Sequence, residues 1–221
     1  MTARYVVAQL FYGDLPYFKY ARAINQQWCL QNGHVYAELG KPSVPAIFTE
    51  PGPYYLHPNW WKVWSLLEGV KKLDANVLVM DADAYVVNQQ LDLEALWTTL
   101  FPEPQQVLAA GWDQASKEVV WDKAGINAGV FAMKPRQPLH ELLTEWSHVP
   151  WHDKEYRTRW PVEQAGFNRN ILRRWKKFIN LVPYNLLNGH DGINICHLMS
   201  MSSEKRVEVM AEVCSQRGIS V

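Results

Sequence analysis

Asp81 and Asp83 stand either side of Ala82, directly after the apolar run Asn76–Met80 (NVLVM). That run is short and apolar enough to read as a buried strand of a parallel sheet. In open α/β sheets, ligands bind at the carboxyl ends of strands, which is where both carboxylates emerge. Two carboxylates this close repel each other, and a divalent cation is the usual compensation. Small Ala82 and Ala84 leave room for something bulky against the backbone. A solvated turn is the alternative, since Asp is a common turn residue. The apolar strand in front favours a metal site.

Positioning such a pair needs a sheet, and the flanking sequence reads as one. Arg4–Phe11 has strand character and runs into a Tyr12-Gly13-Asp14 turn. A helix opens near Pro16, carries Tyr17, Ala21, Ile24 and Trp28 at helical spacing, and stops at Asn32-Gly33. His34–Leu39 is the next strand, completing a βαβ opening. Gly40–Pro58 is proline-rich and aperiodic, a long loop of the kind that is often functional. Asn59–Leu73 restores a helical stripe through Val63, Leu66, Leu67 and Val70. Lys62 lies near the start of that helix, where a cation is poorly placed for the dipole; on its own it reads as a solvated surface lysine.

Leu91–Leu100 reads as a short helix capped by Asp92, and Val107–Gly111 as a strand with Trp112-Asp113 at its carboxyl end. After an irregular Ser116–Gly125, the stretch Ile126–Pro135 enters a strand through small residues, where Asn127 and Gly129 allow a ligand close to the backbone. Pro138–Ser147 and Glu163–Lys177 read as helices, Leu181–Tyr184 and Ile193–His197 as short strands, and Ser203–Gln216 as a closing amphipathic helix. His197 follows an apolar triplet much as Asp81 does, although a lone histidine there suits a half-buried structural role equally well.

The 221 residues suffice for one domain with a full core, and 48% hydrophobic against 20% charged residues is a globular balance. Zero formal net charge without a basic block disfavours nucleic acid or an anionic membrane as partner. No stretch approaches the roughly 20 apolar residues of a membrane span, and no signal-like N-terminus is present. Cys29, Cys196 and Cys214 are odd in number and widely spaced, which fits neither a disulfide framework nor a zinc knuckle. The expectation is a soluble cytoplasmic protein. The 11 tryptophans are in excess; aromatic rings stack on sugars and bases but also fill cores.

The order of motifs is more specific than any one of them. Asp81-Ala-Asp83-Ala-Tyr-Val-Val-Asn88 is followed by Asn127-Ala-Gly-Val-Phe-Ala-Met-Lys-Pro135, then Glu163-Gln164-Ala-Gly-Phe-Asn168, Tyr184-Asn185 and His197. This succession resembles the retaining glycosyltransferases of GT-A fold, the group that includes glycogenin and bacterial lipopolysaccharide galactosyltransferases. The helix carrying Lys62 also resembles that of the Golgi α-galactosyl and α-mannosyl transferases of yeast, and small glycosyltransferase domains of algal viruses are similar in size. The resemblance implies an α/β GT-A fold of one domain, with a mostly parallel sheet flanked by helices. Residues 1–110 would form the nucleotide-binding half and 111–221 the acceptor and catalytic half.

It further implies a nucleotide-sugar donor, usually a UDP-sugar, bound through Mn2+ or Mg2+, and a glycan or glycoprotein acceptor. Asp81, Asp83 and His197 would hold the metal. Phe11, Lys62, Asp81, Ala82, Asp113, Asn127 and Ala128 would line the donor site, with Glu163 and Gln164 at the catalytic position. Charge builds on the departing diphosphate, and a cation and a lysine stabilise it, while the oxocarbenium-like sugar needs a polar or anionic neighbour. Glu163 and Gln164 open a helix, where adjacent side chains diverge by about 100°, so only one can face the anomeric carbon squarely. As a first-turn carboxylate, Glu163 also suits plain dipole stabilisation. Two positions depart from the family: Glu163 where Asp is usual, and Ser200 where Gly is usual three residues after the histidine. Two other readings stay open: a non-catalytic nucleotide-sugar or carbohydrate module, and an aspartyl-phosphate phosphatase. The phosphatase motif expects Thr or Val where Tyr85 stands, and an Asp pair near the N-terminus.

Overall fold

The computed structural model describes residues 5–40, 43, 48, 55–70, 74–113, 125–158 and 162–221. Strand β1 (Tyr5–Leu10), helix α1 (Phe18–Gln31) and β2 (Val35–Leu39) form the expected βαβ opening. Helix α2 (Pro58–Val70), β3 (Asn76–Met80), a short β4 (Ala84–Val86), α3 (Leu93–Leu100) and β5 (Leu108–Asp113) follow. Then come β6 (Gly125–Met133), α4 (Gln137–His152), α5 (Val162–Gly166), β7 (Ile179–Val182), α6 (Tyr184–Leu187), β8 (Ile195–His197) and α7 (Ser203–Gln216). Most of the expected Gly40–Pro58 loop and the irregular Ser116–Gly125 segment lie outside the described residues.

The main sheet has the order β2-β1-β3-β6-β5-β7. β1 pairs in parallel with β2 and β3, β5 in parallel with β7, and β6 runs antiparallel to both its neighbours. The sheet is therefore mostly parallel, with β6 as the reversed strand. Reversal brings the first residues of β6 beside the carboxyl end of β3: Met80 pairs with Val130, and Asp81 N–H donates to Gly129 O at 2.7 Å. Strands β4 and β8 form a separate antiparallel pair whose register sets Ala84 opposite His197.

The apolar alternation of β3 explains its burial on both faces. Val77 and Val79 pack into the core under α2 and α4 with Trp60, Val63, Leu142 and Trp146. Leu78 and Met80 face the other core with Trp28, Leu96, Trp97 and Leu187. A third cluster, built from Tyr17, Phe18, Ile24, Ala82, Tyr85, Leu198 and Met210, joins α1, α7 and the β4–β8 pair around Ala82. The three cysteines are buried and free, and no helix among the described residues is long and apolar enough to cross a membrane.

Several boundaries differ from the sequence expectation by a few residues, and three elements depart for a definite local reason. Helix α4 passes Ser147 and continues to His152 despite Pro150, ending where Asp153 N–H donates to Val149 O. Proline removes a donor and crowds the carbonyl four residues earlier, and here only two helical residues follow Pro150 before the helix ends. The expected helix Glu163–Lys177 is broken: α5 is followed by a π-turn, Phe167–Ile171, and a 3-10 turn, Lys176–Phe178. In the π-turn Asn168 Oδ1 accepts from Ile126 N at 2.8 Å, and a Cβ on Gly125 would lie 2.2 Å from Asn168 Nδ2. The expected strand Leu181–Tyr184 is shifted to Ile179–Val182, because Pro183 ends the ladder and α6 begins at Tyr184. The Asp92 cap is as expected, accepting from Glu94 N and Ala95 N.

Candidate functional site

The turn after β3 carries Asp81 and Asp83, and β8 delivers His197 to it through the pairing with Ala84. One ligand atom from each of Asp81, Asp83 and His197 lies within 4.8 Å of the others. His197 Nε2 is 3.2 Å from Asp83 Oδ1. Its Nδ1 is 3.1 Å from Asn188 Oδ1, and Asn188 Nδ2 donates to Val130 O, which fixes the amide's orientation. Both ring nitrogens therefore face acceptor oxygens, and a neutral imidazole can satisfy one of them alone. Either a proton or a metal cation at Nε2 meets the second demand.

Space for the ring comes from Gly129, where a Cβ would lie 1.9 Å from His197 Cε1. The close approach that the sequence assigns at Gly129 to a ligand is thus made by the His197 ring. Likewise, the room beside Ala84 is taken by the Gln9 and Asn25 side chains, which donate to its carbonyl at 3.0 Å. Ala82 packs into the third cluster.

Lys62 departs from the surface-lysine reading. It is 3% exposed, with Nζ 2.8 Å from Asp81 Oδ1, 3.3 Å from Glu163 Oε1 and 2.9 Å from the Ala128 carbonyl. Gln164 Oε1 accepts from Ala128 N–H at 3.0 Å, so Lys62 and Gln164 hold the peptide groups of Ala128 through its carbonyl and its N–H. Gln164 therefore reaches the start of β6 directly, and Glu163 is linked to it through Lys62. Glu163 is 3% exposed, and its Oε2 has no hydrogen-bond partner among the described residues. Asn127 Oδ1 accepts from Gly129 N–H, and its Nδ2 faces Met199 Sδ at 3.9 Å.

Electrostatics follow from this crowding. Burial alone would discharge Lys62, yet Asp81 and Glu163 together hold its ammonium above the usual lysine range. Burial also opposes charge on Asp83, but His197 and then Arg206 outweigh it and hold the carboxyl at about 2. His197 is raised because Asp83 and Asp81 overcome the burial that would neutralise it.

Phe11 is half-buried and stacked on Phe18, with ring centroids 4.2 Å apart. Asp113 closes β5; its side chain is outside the described residues. Sequence reasoning passed over Asn188, Arg206, Gln9 and Asn25. Arg206 lies in the first turn of α7, where its NH2 is 3.0 Å from Asp83 Oδ2 and its guanidinium packs over the Tyr17 ring. Ser200 adopts φ 62°, the left-handed region, so the backbone keeps the conformation a glycine would favour, at a cost of about 1–2 kcal/mol.

No protein-family model matches the chain, and no curated protein sequence matches it. Its fold has solved counterparts. A glycosyltransferase involved in the glycosylation of the major capsid of PBCV-1 superposes with a TM-score of 0.70 at 14% identity, over 95% of this chain and 99% of that one. The galactosyltransferase LgtC, in complex with donor and acceptor sugar analogs, gives 0.59 at 12% identity over 94% and 95%. Mouse xyloside xylosyltransferase 1 gives 0.56 at 10% identity over 89% and 98%. The chain has the GT-A glycosyltransferase fold.

The donor set of two carboxylates and one imidazole fits a divalent cation, and Asp81, Asp83 and His197 could hold one. Gly129→Ala is expected to displace the His197 ring and weaken Mn2+ binding as much as His197→Ala does, measured from the free-Mn2+ EPR signal. Undiminished binding in His197→Ala would exclude His197 as a ligand. Lys62→Met, which leaves Asp81 and Glu163 facing each other without their cation, is expected to cost about 3–5 kcal/mol in urea unfolding. The double variant with Glu163→Gln should recover part of that loss; simple additivity would show that the buried pair is not coupled.

Proposed function

We propose that this chain is a metal-dependent glycosyltransferase that moves a sugar from a UDP-sugar to a hydroxyl of a glycan or glycoprotein acceptor, with retention of anomeric configuration. The observation that carries this reading is the convergence of Asp81, Asp83 and His197 at the carboxyl end of β3 in a GT-A fold, with Lys62 and Glu163 buried against them. In this reading residues 1–110 bind the nucleotide and 111–221 supply acceptor and catalytic groups, while the metal ligands come from both.

Mn2+ or Mg2+, held by Asp81, Asp83 and His197, would neutralise charge on the diphosphate of the donor. Lys62 supplies a fixed positive charge beside the same group, kept in place by Asp81 and the Ala128 carbonyl. Phe11, Ala82, Asn127, Ala128 and Asp113 complete the donor wall. Glu163 has one carboxylate oxygen on Lys62 and a second, Oε2, without a partner among the described residues. That second oxygen is itself buried, so in this reading the Glu163 carboxylate acts on positive charge developing at the anomeric centre through its field rather than by contact. Gln164 is locked onto Ala128 N–H, which fixes where its amide nitrogen can reach. No protein base is required in the retaining course, because the departing phosphate itself takes the acceptor's proton.

Asp83→Asn should abolish manganese-dependent UDP binding while the circular dichroism spectrum stays native. Metal-dependent binding equal to wild type would refute the Asp-x-Asp assignment. Glu163→Gln and Gln164→Ala should lower kcat by about 100-fold or more with UDP affinity changed less than about threefold, the pattern of a transition-state interaction. Equal losses in both would make them binding residues. Release of UDP from UDP-sugars with Mn2+ tests the activity itself, and binding without release would assign a non-catalytic module. Proton NMR of the first product from an α-linked donor decides stereochemistry: an α-linked product supports retention, and a β-linked one overturns it.

A further inference from the structure

A second buried polar cluster lies directly beneath the Asp81–Ala84 turn. Gln9, in β1, and Asn25, on α1, are both 0% exposed. Gln9 Nε2 donates to Asp81 O at 3.1 Å and to Ala84 O at 3.0 Å, so one amide grips both ends of the turn that carries the two carboxylates. Gln9 Oε1 accepts from Asn25 Nδ2 and from Tyr36 Oη of β2, each at 3.0 Å. Asn25 Nδ2 donates to Ala84 O as well, and its Oδ1 accepts from Val86 N, at 3.0 Å in each case. Every donor and acceptor position of the Gln9 amide is thereby used.

Burying two amides gains little over an apolar pair, because each must first be stripped of water. A fully satisfied network does something an apolar contact cannot: it fixes direction as well as distance. Here the fixed object is the backbone between Asp81 and Ala84, closed by Ala84 N–H to Asp81 O at 3.1 Å. Among the described residues, the network's hydrogen bonds go to peptide groups of the turn and not to the Asp81 or Asp83 carboxylates, so it acts through the backbone. Tyr36 sets the orientation of the Gln9 amide, since its hydroxyl donates to the oxygen and leaves the nitrogen toward the turn.

We propose that Gln9, Asn25 and Tyr36 form a clamp of positioning residues that sets the spacing of Asp81 and Asp83 for a divalent cation. This inference rests on the metal reading given above. The test uses the metal-free protein titrated with Mn2+, read from the free-ion EPR signal, with no substrate present. Tyr36→Phe removes one oxygen and is expected to weaken Mn2+ binding about 3–10-fold; Gln9→Met should weaken it about 10–100-fold, the range for groups that orient a ligand. In EDTA, hydrogen exchange of the Ala84 and Val86 amides should accelerate in Tyr36→Phe while β6 amides are unchanged. Ile179→Val, at the far edge of the sheet, should lower the melting temperature without changing Mn2+ affinity. Tyr36→Phe with wild-type Mn2+ affinity overturns the clamp, as does an equal loss in Ile179→Val. If Gln9→Met does not fold, Tyr36→Phe decides. Wild-type protein that retains no Mn2+ overturns the metal reading itself, a result distinct from wild-type binding that is insensitive to Tyr36.

Discussion

Asp81, Asp83 and Glu163 are gathered around the carboxyl end of β3, in the middle of the sheet, and the rest of the site is arranged to make that tolerable. Buried like charges are unstable unless cations meet them. Lys62 bridges Asp81 and Glu163, Arg206 meets Asp83, and His197 takes the remaining Asp83 oxygen. Each of these partners comes from a different element, α2, α7 and β8, so charge compensation couples helices and strands that are far apart in sequence. Side-chain volume is subordinate to it: Gly129 is bare so that His197 can lie against β6.

This compensation explains the topology at the site. A parallel strand beside β3 would have placed its amino end away from the Asp pair. Reversed β6 instead offers its first residues, so that the Ala128 carbonyl meets Lys62 and the Gly129 carbonyl meets Asp81 N–H. The small β4–β8 pair then folds His197 back over the same end of β3. Lys62 and Arg206 already neutralise part of the acidic charge, so the proposed cation would enter a site that is shaped and partly balanced beforehand. The three donors found among the described residues would leave such a cation's coordination sphere open to further oxygen ligands.

Much of this was legible in the sequence, where a residue's type and its pattern agree. The apolar run of β3, the Asp pair at its end, the βαβ opening and the Asp92 cap follow from periodicity and turn chemistry. Lys62 did not, because nothing local distinguishes a surface lysine from one drawn inward by two distant carboxylates. Arg206 sits in a helix first turn, a poor place for a cation, and its reason is Asp83, more than a hundred positions earlier. Gln9 and Asn25 carried a readable signal: each is polar at a position that the strand or helix pattern buries. A π-turn at Phe167–Ile171 has no such signature, since it exists to fit Asn168 against Gly125.

In the proposed function, Asp81, Asp83 and His197 hold one divalent cation that also meets the donor's diphosphate. Electron spin echo envelope modulation of the Mn2+-loaded protein with UDP reads both contacts at once. The expected result is nitrogen modulation from a directly bound imidazole together with phosphorus coupling from UDP, the nitrogen component vanishing in His197→Ala. Bound Mn2+ that shows phosphorus coupling but no imidazole nitrogen in the wild-type protein would contradict it.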